Sequence, residues 1–341
     1  MKKVFLFIFF MIIIVLAYCA WSVFGPAINN PDKKFLYIKT GSNYQQVKDS
    51  LIKNNMISSG FWFDKIADFA DYPQKVKAGK YKIQDGMSLY HLVKMLRSGK
   101  QVPVNLVITK LRTKEDLAKK IGTLFETDSL KAINFLNNND SLQQFDVDSN
   151  TVMTDVIPDT YTYTWNTSMK NIFKKLHEQE QKFWNRQRLQ KAERLQLTPK
   201  QVYTLASIVE EETNKMEDKG KIASVYMNRL KKGMKLAADP TVKFAMKDFG
   251  LKRIYEKYLQ FPSPYNTYLN TGLPPGPICT PSVKTIDAVL DAPDTDYLFF
   301  VARPDFSGYS DFASTYQQHQ VYAKAYQQAL DSLIKSRVEN P

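Results

Sequence analysis

The chain has 341 residues, with 47 basic against 34 acidic side chains and a formal net charge of +13. Hydrophobic residues make up 44% and aromatics 13%, enough for real cores in more than one domain, which excludes disordered, collagen-like and low-complexity classes. Cys19 and Cys279 sit in unrelated surroundings, which excludes a disulfide framework and a zinc site built on paired cysteines.

After Met1-Lys2-Lys3, the run from Val4 to Phe24 carries no charge. As a helix rising about 1.5 Å per residue it spans roughly 30 Å, the thickness of a bilayer core. The run exceeds the apolar stretch of a signal peptide, Tyr18-Cys19-Ala20 fits a cleavage site poorly, and Leu16-Ala17-Tyr18-Cys19 lacks the small residue a lipobox needs before its cysteine. The sequence therefore predicts a cytoplasmic tip at 1–3 and an uncleaved transmembrane helix at 4–24. Lys2 and Lys3 hold the N-terminus in the cytoplasm, giving a single-pass inner-membrane protein whose remainder is periplasmic or otherwise extracytoplasmic. The positive surplus there suits an anionic partner such as lipid headgroups, teichoic acids or peptidoglycan stem carboxylates, or it simply keeps the surface solvated. The anchor argues against nucleic acid as the partner.

Residues 25–34, rich in Gly, Pro and Asn, read as a short stalk. A strand-turn-helix unit then recurs. In Phe35 to Asn55 the turn falls at Gly41, with Ser42 as cap and Gln45 three residues on. In Gly79 to Lys100 the turn is Asp85-Gly86, the cap Ser88 and the stop Gly99. Val104 to Gly122 offers a third copy, with Thr113 and Asp116 as a capping box. The first two copies resemble the LysM-type fold, which implies a module at 35–110 that either contacts glycan or acts as a spacer. The polar stretch from Asp128 to Asn150 reads as a capped helix in a connection, and Met169 to Leu195 as one helix of mixed charge.

Thr198 and Pro199 begin a further helix, which the pattern carries through to Met216. At about 100° per residue Glu212 falls within roughly 20° of Leu205, in the middle of the apolar stripe, whereas Glu210 and Glu211 point off it toward solvent. A carboxylate pressed into an apolar face has its charged form disfavoured and so holds a proton near neutral pH, the property of a general acid. The competing reading is a structural ion pair between Glu212 and Arg229 or Lys221.

The segments Ala206 to Thr213, Ile222 to Leu230, Gly233 to Phe244, Pro264 to Pro281 and Asp296 to His319 together resemble the MltG (YceG-like) family of endolytic murein transglycosylases. That resemblance implies a YceG-like transglycosylase domain at 111–341 with its core at 198–340. The expected class is thus α+β: a transmembrane helix, a small LysM-like strand-helix module and a larger mixed α/β catalytic domain. The family's catalytic glutamate, the second of its Val-Glu-Lys-Glu-Thr element, falls on Glu212, which helical geometry selects independently. Where the family often has Gln-Thr before Asp-Pro-Thr, this chain has Ala237-Ala238.

The implied reaction needs one carboxyl group and no metal or cofactor. Glu212 protonates the oxygen of the MurNAc-β-1,4-GlcNAc bond and then, as carboxylate, takes the proton of the muramic C6 hydroxyl, closing a 1,6-anhydro ring. Asp239, with Pro240 and Thr241, reads as a helix cap or as a group that orients glycan and raises the pKa of Glu212 by like charge. Tyr265, Asn266, Thr267 and Tyr268 mix aromatic faces with amide and hydroxyl groups in a pattern that suits sugar, or ordinary loop packing. Asn228 and Arg229 are candidates to fix Glu212 or substrate, with Glu210 in support. His91, His177 and His319 form no metal or nucleophile pattern. The expected partners are nascent peptidoglycan strands, the membrane and, by resemblance, glycan polymerases such as penicillin-binding proteins. The alternatives are a water-using muramidase, which needs a second carboxylate, and a non-catalytic wall-binding scaffold.

Overall fold

The computed structural model describes residues 2–28, 34–57, 60–251 and 253–339. It is a mixed α and β chain that divides into two compact units. The first comprises Met1–Leu106, Ile121–Asp128 and Thr162–Ser168, and the second Val107–Lys120, Ser129–Tyr161 and Met169–Pro341. The two returns to the first unit carry no mark in the sequence.

The chain begins with α1 (Lys2–Phe24), a helix long and apolar enough to cross a membrane, with none of its residues buried. Of the expected stalk, 29–33 lie outside the described residues. Ile28, far from being free, is fully buried, and the backbone N–H groups of Ala27 and Ile28 donate to the Met87 carbonyl. Strand β1 (Phe35–Ile38) pairs antiparallel with β2 (Gly79–Lys82), Leu36 opposite Tyr81. Between them lie α2 (Tyr44–Lys53) and α3 (Gly60–Phe69), and α4 (Leu89–Ser98) follows. Leu36, Leu51, Phe63, Tyr81, Leu92 and Leu96 form the core of this unit. Ser88 caps α4 and Gly99 ends it at φ 74, as the sequence predicts. The cap of α2 lies one residue beyond the expected pair. Asn43 and Gln46 make the capping box, because Ser42 is held in the preceding turn by its N–H bond to the Lys39 carbonyl.

Strand β3 (Val104–Val107) pairs with β4 (Thr160–Tyr163). The helix α5 (Lys114–Leu124) is capped reciprocally, Thr113 N–H to the Asp116 carboxylate and Asp116 N–H to the Thr113 hydroxyl. The short helices α6 (Ser129–Asn137) and α7 (Asn139–Leu142) occupy the polar connection. The single helix expected at 169–195 is two, α8 (Met169–Phe183) and α9 (Arg186–Arg194). Asn185 turns its side chain onto the Arg188 N–H and starts a new helix.

The second unit is built on α10 (Pro199–Glu212), α11 (Met216–Lys231) and, following α12 (Asp239–Met246) and α13 (Glu256–Leu259), α14 (Val283–Leu290). Tyr203, Leu205, Ile208, Ile222, Ile286 and Leu290 lie in its core. The antiparallel pair of β5 (Phe299–Ala302) and β6 (Ser310–Ala313), with α15 (Tyr316–Glu339) against it, completes the unit. The expected continuation of α10 to Met216 is wrong: Thr213 is extended, and Met216, 44% exposed, opens α11 with Glu217 and Asp218 in its first turn. The break makes Glu212 the last residue of α10.

Candidate active site

Thr198 and Gln201 form a reciprocal capping box around Pro199, fixing the start of α10. Thirteen residues of regular helix later, counting roughly at 3.6 per turn, Glu212 emerges at the carbonyl end, where the helix dipole disfavours a negative charge. The residue keeps part of its surface exposed, yet its carboxyl group lies deep enough that desolvation dominates its ionisation. Burial first, then the charge of Asp239, push its pKa from the ordinary 4.5 to about 7, against the opposing effects of a hydrogen bond from Tyr226 and the charges of Arg229 and Lys243.

Tyr226 lies on α11, 1% exposed, and its hydroxyl donates to Glu212 Oε1 at 2.5 Å. Its ring meets Phe300 of β5 edge-on, with centroids 5.9 Å apart. Burial and the neighbouring carboxyl group drive the phenol pKa far up, so Tyr226 remains a donor at any working pH. Sequence reasoning missed this residue, singling out only Asn228 and Arg229 in the stretch from Ile222 to Leu230. The signal was a tyrosine on a buried helix face, whose hydroxyl needs a polar partner.

Asp239 is the first residue of α12 rather than its cap, which is Ala238, and its carboxylate is free of the helix end. It accepts from the Tyr268 hydroxyl at 2.6 Å. Tyr226, Asp239, Tyr268 and Arg229 therefore gather around the Glu212 carboxyl group. Asn228 and Arg229 are committed to backbone. The Asn228 amide donates to the carbonyls of Thr295 and Tyr297 at 2.7 and 3.0 Å, and Arg229 donates to those of Leu298 and Leu236 at 2.8 and 2.6 Å. The ion pair of Glu212 with Arg229 or Lys221 considered from sequence is replaced by the Tyr226 bond, and Lys221 instead lies over the Phe312 ring.

Thr241, Asn266 and Thr267 are buried and turned into the protein. The Thr241 hydroxyl donates to the Ala238 carbonyl, and the Thr267 hydroxyl accepts from the Ala238 N–H and lies 2.9 Å from that of Thr241. Asn266 spans its loop, donating to the carbonyls of Leu259 and Phe261 and accepting from the Tyr268 N–H. These three fix the wall that carries Asp239 and Tyr268. Tyr265 packs on Phe244, centroids 4.7 Å apart.

The two glutamates expected to face solvent do not. Glu210 accepts from buried Lys219 at 2.8 Å and also binds the hydroxyls of Thr285 and Ser282, tying α10 to α11 and α14. Burial opposes its ionisation, but these donors and the Lys219 charge win and lower its pKa. Glu211 pairs with Lys110 and Arg112. Away from this site, His177 Nδ1 lies 2.7 Å from the Asp155 carboxylate and its Nε2 contacts Gln181, with Glu180 close by.

The chain matches the YceG-like family over residues 36–325 and belongs to it. It is 30% identical to a Bacillus subtilis protein named endolytic murein transglycosylase, over 83% of this chain and 81% of that one. It is 29% identical to a Streptococcus pneumoniae protein of the same name, over 78% of this chain and 53% of the longer relative. The crystal structure of a yceG-like protein from Listeria monocytogenes is similar at a TM-score of 0.56 and 26% identity, covering 85% of this chain and 98% of that one.

Proposed function

We propose that this chain is a membrane-anchored lytic transglycosylase that cuts peptidoglycan strands internally, with Glu212 as general acid and then general base. Family membership and the two named relatives support an enzyme of this class acting on glycan strands. The observation that carries the assignment of Glu212 is its desolvated carboxyl group, bound by the Tyr226 hydroxyl at the end of α10 and raised by burial to a pKa of about 7, at the position where the family's motif has its catalytic glutamate. In the first half of the reaction the carboxyl proton passes to the glycosidic oxygen as the bond breaks. In the second the carboxylate withdraws the proton of the muramic C6 hydroxyl, which closes the 1,6-anhydro ring. Each step leaves Glu212 ready for the other.

The apolar α1 supports a single-pass anchor that keeps the enzyme close to strands emerging from glycan polymerases. The β1–β2 pair with α2 and α3 between its strands supports a LysM-like module for glycan contact. Asp239, a second carboxylate facing the same group, favours one other reading, a water-using muramidase. Mass spectrometry of strands digested by the full-length protein separates them. Anhydro ends weigh one water less than hydrolysed ends, and Glu212→Gln should yield neither. Cleavage that survives Glu212→Gln would sink the assignment.

A further inference from the structure

A groove of about 630 Å³ lies on the first unit between α3 and α4, lined by Phe69, Lys75, Lys77, Tyr90, Lys94 and Arg97, among others. Four cations thus face a single carboxylate, Asp71, which is itself paired with Lys75 at 2.7 Å. Phe69 at its rim is 93% exposed and Phe61, at the other end of α3, is 59% exposed. Large apolar side chains standing out of a basic surface are costly in water and mark a binding face.

The position of this face relative to α1 indicates what covers it. Phe24, the last residue of α1, packs on Tyr90 of the groove with ring centroids 5.3 Å apart. Tyr18, about 9 Å back along the same helix at 1.5 Å per residue, packs on Trp62 of α3 at 6.1 Å. If α1 crosses the bilayer, Tyr18, Trp62 and Tyr90 stand at the depth of an interfacial aromatic belt, and α3 lies along the headgroup layer. We propose that the α3–α4 face is a docking site for anionic phospholipid headgroups of the bilayer that holds α1. Phe69 and Phe61 insert beside the acyl boundary, and Lys75, Lys77, Lys94 and Arg97 meet the phosphates. The inference rests on the anchor reading above. It adds that the module lies on the membrane instead of hanging from it.

The test uses the full-length chain carrying Cys19→Ser and Phe69→Cys, the latter labelled with an environment-sensitive fluorophore; Cys279 is buried and escapes the label. The protein is reconstituted in nanodiscs of phosphatidylcholine alone or of phosphatidylcholine and phosphatidylglycerol in equal parts. The expected result is blue-shifted emission, quenched by nitroxide lipids, in the anionic discs. High salt, or Lys94→Glu with Arg97→Glu, should return it to the phosphatidylcholine value while the thermal midpoint stays unchanged. Unshifted emission in the anionic discs, or a shift indifferent to lipid charge, overturns the proposal with the anchor intact. A chain that fails to co-elute with either disc overturns the anchor and the docking face together.

Discussion

The Tyr226 hydroxyl donates to Oε1 of Glu212 at 2.5 Å, joining the last residue of α10 to the buried face of α11. The bond orients the carboxyl group and, by favouring the carboxylate, restrains the rise in pKa that burial imposes. Tyr226→Phe should therefore move the alkaline limb of the pH-rate profile upward by as much as about one unit and lower kcat by roughly tenfold or more. A tyrosine that merely filled space would cost stability and leave the limb where it was. Titrating kcat/KM on defined glycan strands distinguishes the two.

Glu212 itself makes folding pH-dependent. Its pKa rises from 4.5 in the unfolded chain to about 7 in the folded protein, so the folded state binds the proton more tightly. The associated stability is fully present below pH 4.5 and is lost as pH rises through about 7. Glu212→Gln, permanently neutral and nearly isosteric, should match the parent at acid pH and exceed it above pH 7 by about 3 kcal/mol. Denaturant unfolding at pH 4.5 and 8 checks this. An equal offset at both values would mean that the carboxyl group is not protonated at neutrality.

The same residue shows how far the sequence could be read. Helical periodicity alone placed Glu212 on the apolar stripe, since one face of α10 is determined by residues close in sequence such as Leu205 and Val209. The caps at Thr198, Ser88 and Thr113 were equally local, each a side chain reaching a backbone group three residues away. What escaped was decided by distant chain. Glu210 looked solvent-facing until Lys219 and Thr285 arrived from α11 and α14. Asn266 and Thr267 looked like sugar ligands because their polar groups were visible, while the carbonyls that take up the Asn266 amide and the Ala238 N–H and Thr241 hydroxyl that meet the Thr267 hydroxyl were not. The helix breaks at Asn185 and Thr213 were overlooked because charge and apolar spacing continue through both.

The Lys219–Glu210 pair predicts a stability effect separate from chemistry. Both groups are largely removed from water, with side chains 9% and 15% exposed. Lys219→Met leaves Glu210 charged and half-buried beside Thr285 and Ser282, which should cost about 3–5 kcal/mol. Adding Glu210→Gln removes the stranded charge and should restore much of the loss. A double-mutant cycle by urea unfolding measures the coupling, and strict additivity of the two changes would contradict the pairing.

Asp239 offers the sharpest discrimination between the two chemistries. It raises the Glu212 pKa by like charge while its own carboxylate is held by the Tyr268 hydroxyl at 2.6 Å. If its influence is only electrostatic, Asp239→Asn should lower the Glu212 pKa, shift the alkaline limb of kcat/KM to lower pH and leave the ends of the product strands anhydro. Tyr268→Phe should weaken substrate turnover without that downward shift of the alkaline limb, since it frees Asp239 and keeps its charge. Were Asp239 instead the base that activates water, the parent enzyme would release hydrolysed ends and Asp239→Asn would lose about two to four orders of magnitude in rate. Product masses and pH profiles, measured on the same preparations, decide between a single carboxyl group working twice and a pair dividing the labour.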